Sequence, residues 1–123
     1  MKFVRFWFPV IIYSGIIFCV SSIPDLTTPL PEAHFDKFLH IFEYLPFGFL
    51  VARAIGSTGS VVSGKKLWIL VVLVAFLYGL SDEYHQSFVP GRDFELFDIV
   101  VDTIGGAIGG AVYLLRGCKS KKN

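Results

Sequence analysis

The sequence predicts an all-α, polytopic membrane protein with four transmembrane helices, and three observations predict it. Of 123 residues 54% are hydrophobic and 17% charged, and the mean hydropathy is +0.63, too apolar for an ordinary water-soluble domain. The charges are also sorted. All ten acids and all three histidines fall between Asp25 and Glu43 or between Asp82 and Asp102, while nine of the eleven basic residues lie outside those stretches. Finally, the local charge alternates: basic at Lys2 and Arg5, acidic over 25–43, basic from Arg53 to Lys66, acidic over 82–102, basic from Arg116 to Lys122. Lys and Arg are retained on the cytoplasmic side of a membrane, so four crossings are expected with both termini and the middle loop inside. That rule does not account for the acids outside, which need another cause.

The first helix is expected over 6–24, a charge-free run long enough to span a bilayer, for which about 20 residues are needed at 1.5 Å each. A cleaved signal peptide is the competing reading, but Val20-Ser21-Ser22 is a poor small-x-small cleavage site. Pro24, Pro29 and Pro31 make 24–35 a stiff extended loop. The remaining charge-free runs are nine residues between Glu43 and Arg53, fifteen between Lys66 and Asp82, and thirteen between Asp102 and Arg116. None of these spans alone. To do so each helix must extend through its acidic end, giving 36–55, 66–86 and 95–116 within a single domain over 1–123. The Gly56-Ser57-Thr58-Gly59-Ser60 stretch through Gly64 then connects the second and third helices, and Ser87–Asp93, with Pro90-Gly91, forms a tight turn. Pro46 is expected to kink the second helix. Trp7, Tyr13, Trp68 and Tyr113 read as interfacial anchors or packing residues.

The charged side chains therefore belong inside the membrane. Counting outward from the basic ends places His40, Glu43, Asp82, His85, Asp98 and Asp102 about 18–27 Å into a core about 30 Å thick. At 100° per residue Asp36, His40 and Glu43 form one stripe. Tyr78, Ser81, Asp82, His85 and Gln86 share a face of the third helix, with Glu83 turned aside, and Asp98 and Asp102 continue into Gly105 and Gly109 on the fourth. Gly105, Gly106, Gly109 and Gly110 give two Gly-x-x-x-Gly spacings that admit a neighbouring helix. An ionisable group at mid-helix costs about 2.5–3.5 kcal/mol. Such a cluster has to be neutralised by ion pairing, by holding protons, or by a divalent metal cation, the one cofactor the pattern suggests.

Asp36-Lys37-x-x-His40-x-x-Glu43-Tyr44, then Tyr78-Gly79-x-Ser81-Asp82-Glu83-x-His85-Gln86-x-Phe88-Val89-Pro90-Gly91-Arg92, then Asp98-x-x-x-Asp102-Thr103-x-Gly105-x-x-x-Gly109 resemble the signature of the VanZ-like family. The resemblance implies a small multi-pass protein of the bacterial inner (cytoplasmic) membrane, associated with resistance to the glycopeptide teicoplanin. Asp or Asn stands at the position of Asp102 in the family pattern. The first helix carries no part of it.

Two functional readings follow. In the first, an outward cleft binds or modifies a phosphate- or sugar-bearing lipid, such as a lipid-linked cell-wall precursor or a lipoglycopeptide. Arg92 would anchor the anion with its planar fork, and Asp36, Lys37, Tyr44, Glu83, Gln86 and Asp102 would complete the ligand set. A catalytic version makes His40 and His85 general base and acid, with Glu43, Asp82 or Asp98 orienting them. His40, Glu43, Asp82 and His85 are then the candidate metal ligands. In the second reading the protein is a non-catalytic binder or a small proton-coupled transporter, and a carrier of four helices would use the glycine face to form a homodimer. A purely structural network is the bland alternative, with Arg92 paired to Asp82 or Asp98. A Ser/His/Asp hydrolase is disfavoured, because Ser81 lies on a helix with no nucleophile elbow. The formal net charge of +1 gives no reason to expect nucleic acid, and Cys19 and Cys118, expected at opposite membrane faces, cannot form a disulfide.

Overall fold

The computed structural model describes the backbone of residues 1–24, 33–58 and 64–120, with all of those side chains except 33–36 and 118–120. It contains four helices: α1 (Lys2–Ser21), α2 (Ala33–Thr58), α3 (Gly64–Gln86) and α4 (Leu96–Ser120). No strand occurs among the described residues. Each helix carries a segment long and apolar enough to cross a membrane: Lys2–Ser21, Lys37–Thr58, Gly64–Gln86 and Leu96–Gly117. The expected order therefore holds, with shifted ends. α1 begins four residues earlier and includes Lys2 and Arg5. α2 runs on through Gly56, Ser57 and Thr58, which the sequence reading placed in a linker. Thr58 is held there because its Oγ1 donates to Ala54 O (2.5 Å) and accepts from Trp7 Nε1 (3.1 Å). The remaining linker, 59–63, and the proline loop over 25–32 lie outside the described residues.

The helices alternate in direction. Trp7 of α1 meets Thr58 at the far end of α2, Tyr13 OH donates to Glu43 O (2.9 Å), and Tyr78 OH of α3 donates to Ser14 O (2.7 Å). Trp68 near the start of α3 donates to Ala107 O in the middle of α4 (3.0 Å). Three of the four aromatic residues read as anchors or packing residues are thus helix-to-helix ties, and the fourth, Tyr113, packs edge-on against Phe49. Arg5 and Arg53 lie over the Phe6 ring, and Arg116 over Phe49, so described basic side chains gather at one end of the bundle. The acids gather at the other.

Glycines decide how closely the helices approach. α2 and α4 share the largest interface, α3 packs on α4, and α1 leans mainly on α2. A Cβ at Gly105 or Gly109 would run into the α2 backbone at Ile41 O or Leu45 O, and a Cβ at Gly48 would overlap Gly106 O. On the other side of α4, Gly106 faces Ala75 and Gly110 faces Val71. Both glycine spacings are therefore occupied within the chain, one by α2 and the other by α3. The glycine face named above as a dimer candidate packs inside the chain, against α2 backbone and Ala75. Tyr44, Phe47, Val51 and Val71 fill the centre, while Phe8, Ile11, Phe42, Leu73 and Phe97 are exposed around the outside, as lipid contact requires. Pro46 lies inside α2 and cannot donate to the carbonyl one turn earlier, but the helix continues past it.

The α3–α4 connection is a tight turn, as expected. Arg92 N donates to Val89 O (3.1 Å) and Gly91 has φ 77°. Pro at the second position and a positive φ at the third define a type II turn, which only glycine adopts without strain.

The packing predicts a contrast between glycines. Gly109→Ala should lower stability by about 1–3 kcal/mol, the usual cost of forcing an added methyl into a packed core. Gly15→Ala, where a Cβ meets nothing within 4 Å, should be neutral or slightly stabilising. Thermal unfolding of the detergent-solubilised variants measures both.

Candidate functional site

The acidic ends of α2, α3 and α4 and the C-terminal end of α1 meet at one end of the bundle. Their side chains form two adjoining groups that share His40. Between α2 and α4, His40 Nδ1 lies 2.9 Å from Asp102 Oδ1, with Asp102 fully buried. An acid opposite Nδ1 fixes the proton on that nitrogen and turns Nε2 to the opposite side of the ring. His40 Nε2 faces Asp98 Oδ2 at 3.9 Å, beyond hydrogen-bond range. Lys37 Nζ donates to Asp98 Oδ1 and to Glu95 Oε2, the latter at 2.6 Å. Asp98 lies in the first turn of α4, where the partial positive charge of the helix terminus also favours an anion.

Glu83 belongs to this group, which corrects the expectation that it turns aside. It is fully buried, and its Oε2 accepts the Glu95 N–H (3.0 Å), tying α3 to the start of α4. The reason is a stripe at spacing four on α3. Val71 faces Gly110, Ala75 faces Gly106, and Gly79 faces Asp102, where a Cβ would come within 3.1 Å of Asp102 Oδ2. One further turn along the same stripe is Glu83. α3 is thus buried on two sides, and a single polar face could not represent it.

The second group faces α1. A cavity of about 70 Å³ lies between the ends of α1, α2 and α3, lined by Val20, Ser21, Leu39, His40, Glu43, Asp82, Gln86 and Arg92. Gln86 Nε2 donates to Asp82 Oδ2 (3.1 Å) across one helical turn. Arg92 Nη1 donates to Ser21 O (3.1 Å), closing the C-terminal end of α1. That contact, and not a carboxylate of Asp82 or Asp98, holds the guanidinium at the cavity.

His85 stands apart. Its Nε2 is 2.9 Å from Ser22 Oγ and its ring stacks on Phe18 at 4.3 Å, so the proposed base and acid histidines face different helices. The metal set of His40, Glu43, Asp82 and His85 is divided in the same way. Instead, His40, Glu83 and Asp98 present donor atoms within 4.8 Å of one another. Ser81 is exposed and donates to Tyr78 O (2.7 Å), as a helical serine with no catalytic partner does. Tyr44 is buried, with a hydroxyl that has no hydrogen-bond partner among the described residues. The side chain of Asp36 lies outside the described residues.

Sequence reasoning missed Glu95, Ser21 and Ser22. Glu95 sits in the acidic stretch and was legible there as a charge. The two serines gave no signal, because a helix terminus becomes part of a site only through what packs over it.

A four-helix, multi-pass membrane protein with a buried ionisable network at one end of the bundle is the class these features define. The chain belongs to the VanZ/LLP1 family, whose model matches residues 3–117. The match takes in α1, which carries none of the recognised motif residues. Family membership links the protein, by association, to glycopeptide resistance. No curated protein and no solved structure matches the chain significantly.

The His40–Asp102 contact predicts a graded response. Asp102→Asn keeps an acceptor for Nδ1 and should leave folding intact. Asp102→Leu strands a buried N–H and should cost about 1–3 kcal/mol, read as a lower unfolding midpoint in detergent.

Proposed function

We propose that the protein binds or modifies the polar head of a phosphate- or sugar-bearing, lipid-linked ligand at the outer face of the bacterial cytoplasmic membrane. In doing so it reduces susceptibility to lipid-anchored glycopeptides. One observation carries the reading: the cavity brings charged and polar side chains together with large apolar ones. Arg92, Glu43, Asp82 and Gln86 line it, while Val20 and Leu39, also in its wall, are large, apolar and exposed on the surface that faces lipid. An amphiphile fits such a site, with its head among charges and its chain along the bilayer. Size narrows the choice further. Pockets that enclose a whole small molecule run to about 300–1,000 Å³, so about 70 Å³ accommodates one phosphate or a few hydroxyls, with the rest of the ligand outside.

Arg92 supplies the geometry for a phosphate, since a guanidinium fixed through one nitrogen still presents further donors in a plane. Glu43, Asp82 and Gln86 supply acceptors for hydroxyl or amine groups. His40, held by Asp102, also lines the cavity, beside the head of a ligand bound there. The nine basic residues outside the acidic stretches support placing this end of the bundle on the extracytoplasmic side.

Native mass spectrometry of the detergent-extracted protein should find a co-purified lipid. Arg92→Lys, which keeps the charge and loses the fork, should lose that lipid and, in a susceptible host, the gain in teicoplanin tolerance. A lipid-free protein, or an Arg92→Lys variant indistinguishable from the parent, would contradict the reading. For orientation, a fluorescent protein fused to the C-terminus should mature and glow, whereas a periplasmic reporter enzyme at the same place should stay inactive.

A further inference from the structure

We propose that His40, Glu83 and Asp98 form a binding site for one divalent transition-metal cation of the zinc–manganese class, with Asp102 as the positioning residue behind His40. The site adjoins the α1-side cavity, with which it shares His40, but it does not depend on that cavity binding lipid.

Geometry is the first support. Donor atoms of the three residues lie within 4.8 Å of one another, all three residues being buried, and His40 Nε2 is 3.9 Å from Asp98 Oδ2. Donors bound tetrahedrally to one ion at about 2.0–2.2 Å stand about 3.3–3.6 Å apart. The 3.9 Å pair has to close by a few tenths of an ångström, and separations of up to 4.8 Å by up to about 1.2–1.5 Å, within reach of side-chain rotation. Asp102 Oδ1 accepting from Nδ1 is the arrangement that holds a metal-binding imidazole with Nε2 forward.

The second support is independent of the cluster's shape. Glu83 is fully buried, and while its Oε2 is committed to the Glu95 N–H, its Oε1 has no hydrogen-bond partner among the described residues. A buried carboxylate oxygen left in that state carries an unoffset desolvation cost. A cation removes that cost without moving the backbone. Charge points the same way. Glu83, Asp98 and Asp102 gather around His40, and among the described residues the ammonium of Lys37 pairs with Asp98 and the nearby Glu95.

Donor chemistry selects the ion. One imidazole with carboxylate oxygens suits zinc, manganese or iron, whereas magnesium and calcium prefer oxygen alone. Three protein ligands leave coordination positions for water or for an oxygen of a bound ligand.

The test uses the full, untagged chain in detergent, stripped with a chelator and re-dialysed against Zn²⁺. One zinc per chain should be retained by elemental analysis, and Mn²⁺ but not Mg²⁺ should compete for it. Asp98→Asn and Glu83→Gln should each weaken Zn²⁺ binding at least about tenfold, and Asp102→Asn about 10–100-fold, the usual effect of removing an outer partner. His85→Ala should leave binding unchanged. Should Glu83→Gln fail to fold, zinc-edge X-ray absorption of the unmodified protein decides instead: one imidazole and oxygen donors at about 2.0–2.2 Å, with no sulfur, is expected. No zinc retained, two or more imidazoles, a thiolate, or loss of metal in His85→Ala would each overturn the assignment. Loss of co-purified lipid with zinc retained would overturn the lipid reading alone.

Discussion

The His40–Asp102 contact joins α2 to α4 at the depth where the chain buries its charges, and the rest of the acidic end is arranged around it. It forms because glycines lower in the bundle bring the two backbones together. Gly105 lies against Ile41, Gly109 against Leu45, and Gly48 against Gly106, so that a short aspartate can reach an imidazole on the facing helix. With larger residues at those positions the helices would stand further apart, and both groups would be buried without partners. The glycines and the polar cluster are therefore one device: close approach below, hydrogen bonding above.

Burying so many acids among apolar helices is expensive, and the chain offsets that cost in several ways. Lys37 serves two carboxylates, the N-terminus of α4 favours Asp98, Gln86 donates to Asp82, and a main-chain amide serves Glu83. What these do not offset is equally informative. Among the described residues Glu83 Oε1 and Asp102 Oδ2 on the α4 side of His40, and Asp82 Oδ1 and Ser21 Oγ on the α1 side, are buried without hydrogen-bond partners. Membrane proteins retain such groups where they serve a function. His40 is common to the two sides, which gives it one nitrogen fixed by Asp102 and a ring edge on the cavity.

α1 has a role that its composition conceals. It is charge-free over 6–24 and carries no signature residue, yet its last turn forms one wall of the cavity. Ser21 O receives Arg92, Ser22 holds His85, and Val20 lines the cavity. A hydrophobic helix thus supplies the site with a main-chain acceptor at Ser21 and a side-chain hydroxyl at Ser22.

The sequence alone determined that there are four membrane-length helices, their order, the tight turn between α3 and α4, and which end of α2, α3 and α4 is acidic, because hydropathy, charge and Pro-Gly chemistry act locally along a chain. It also placed His40, Asp98 and Asp102 in one cluster, since residues four apart on a helix share a face wherever that helix goes. Which faces meet was decided only by tertiary structure. Glu83 lies about a quarter-turn from Asp82 on α3, and the two acids serve different sides of His40 because α3 packs against α4 along Val71, Ala75 and Gly79 while still bordering the α1-side cavity. Likewise His85 carries a signature position yet faces Phe18 and Ser22, and both glycine stripes are filled by partners inside the chain. Periodicity fixes angles around one helix axis. The rotation of one axis against another is set by the sum of many small contacts, and no single helix contains it.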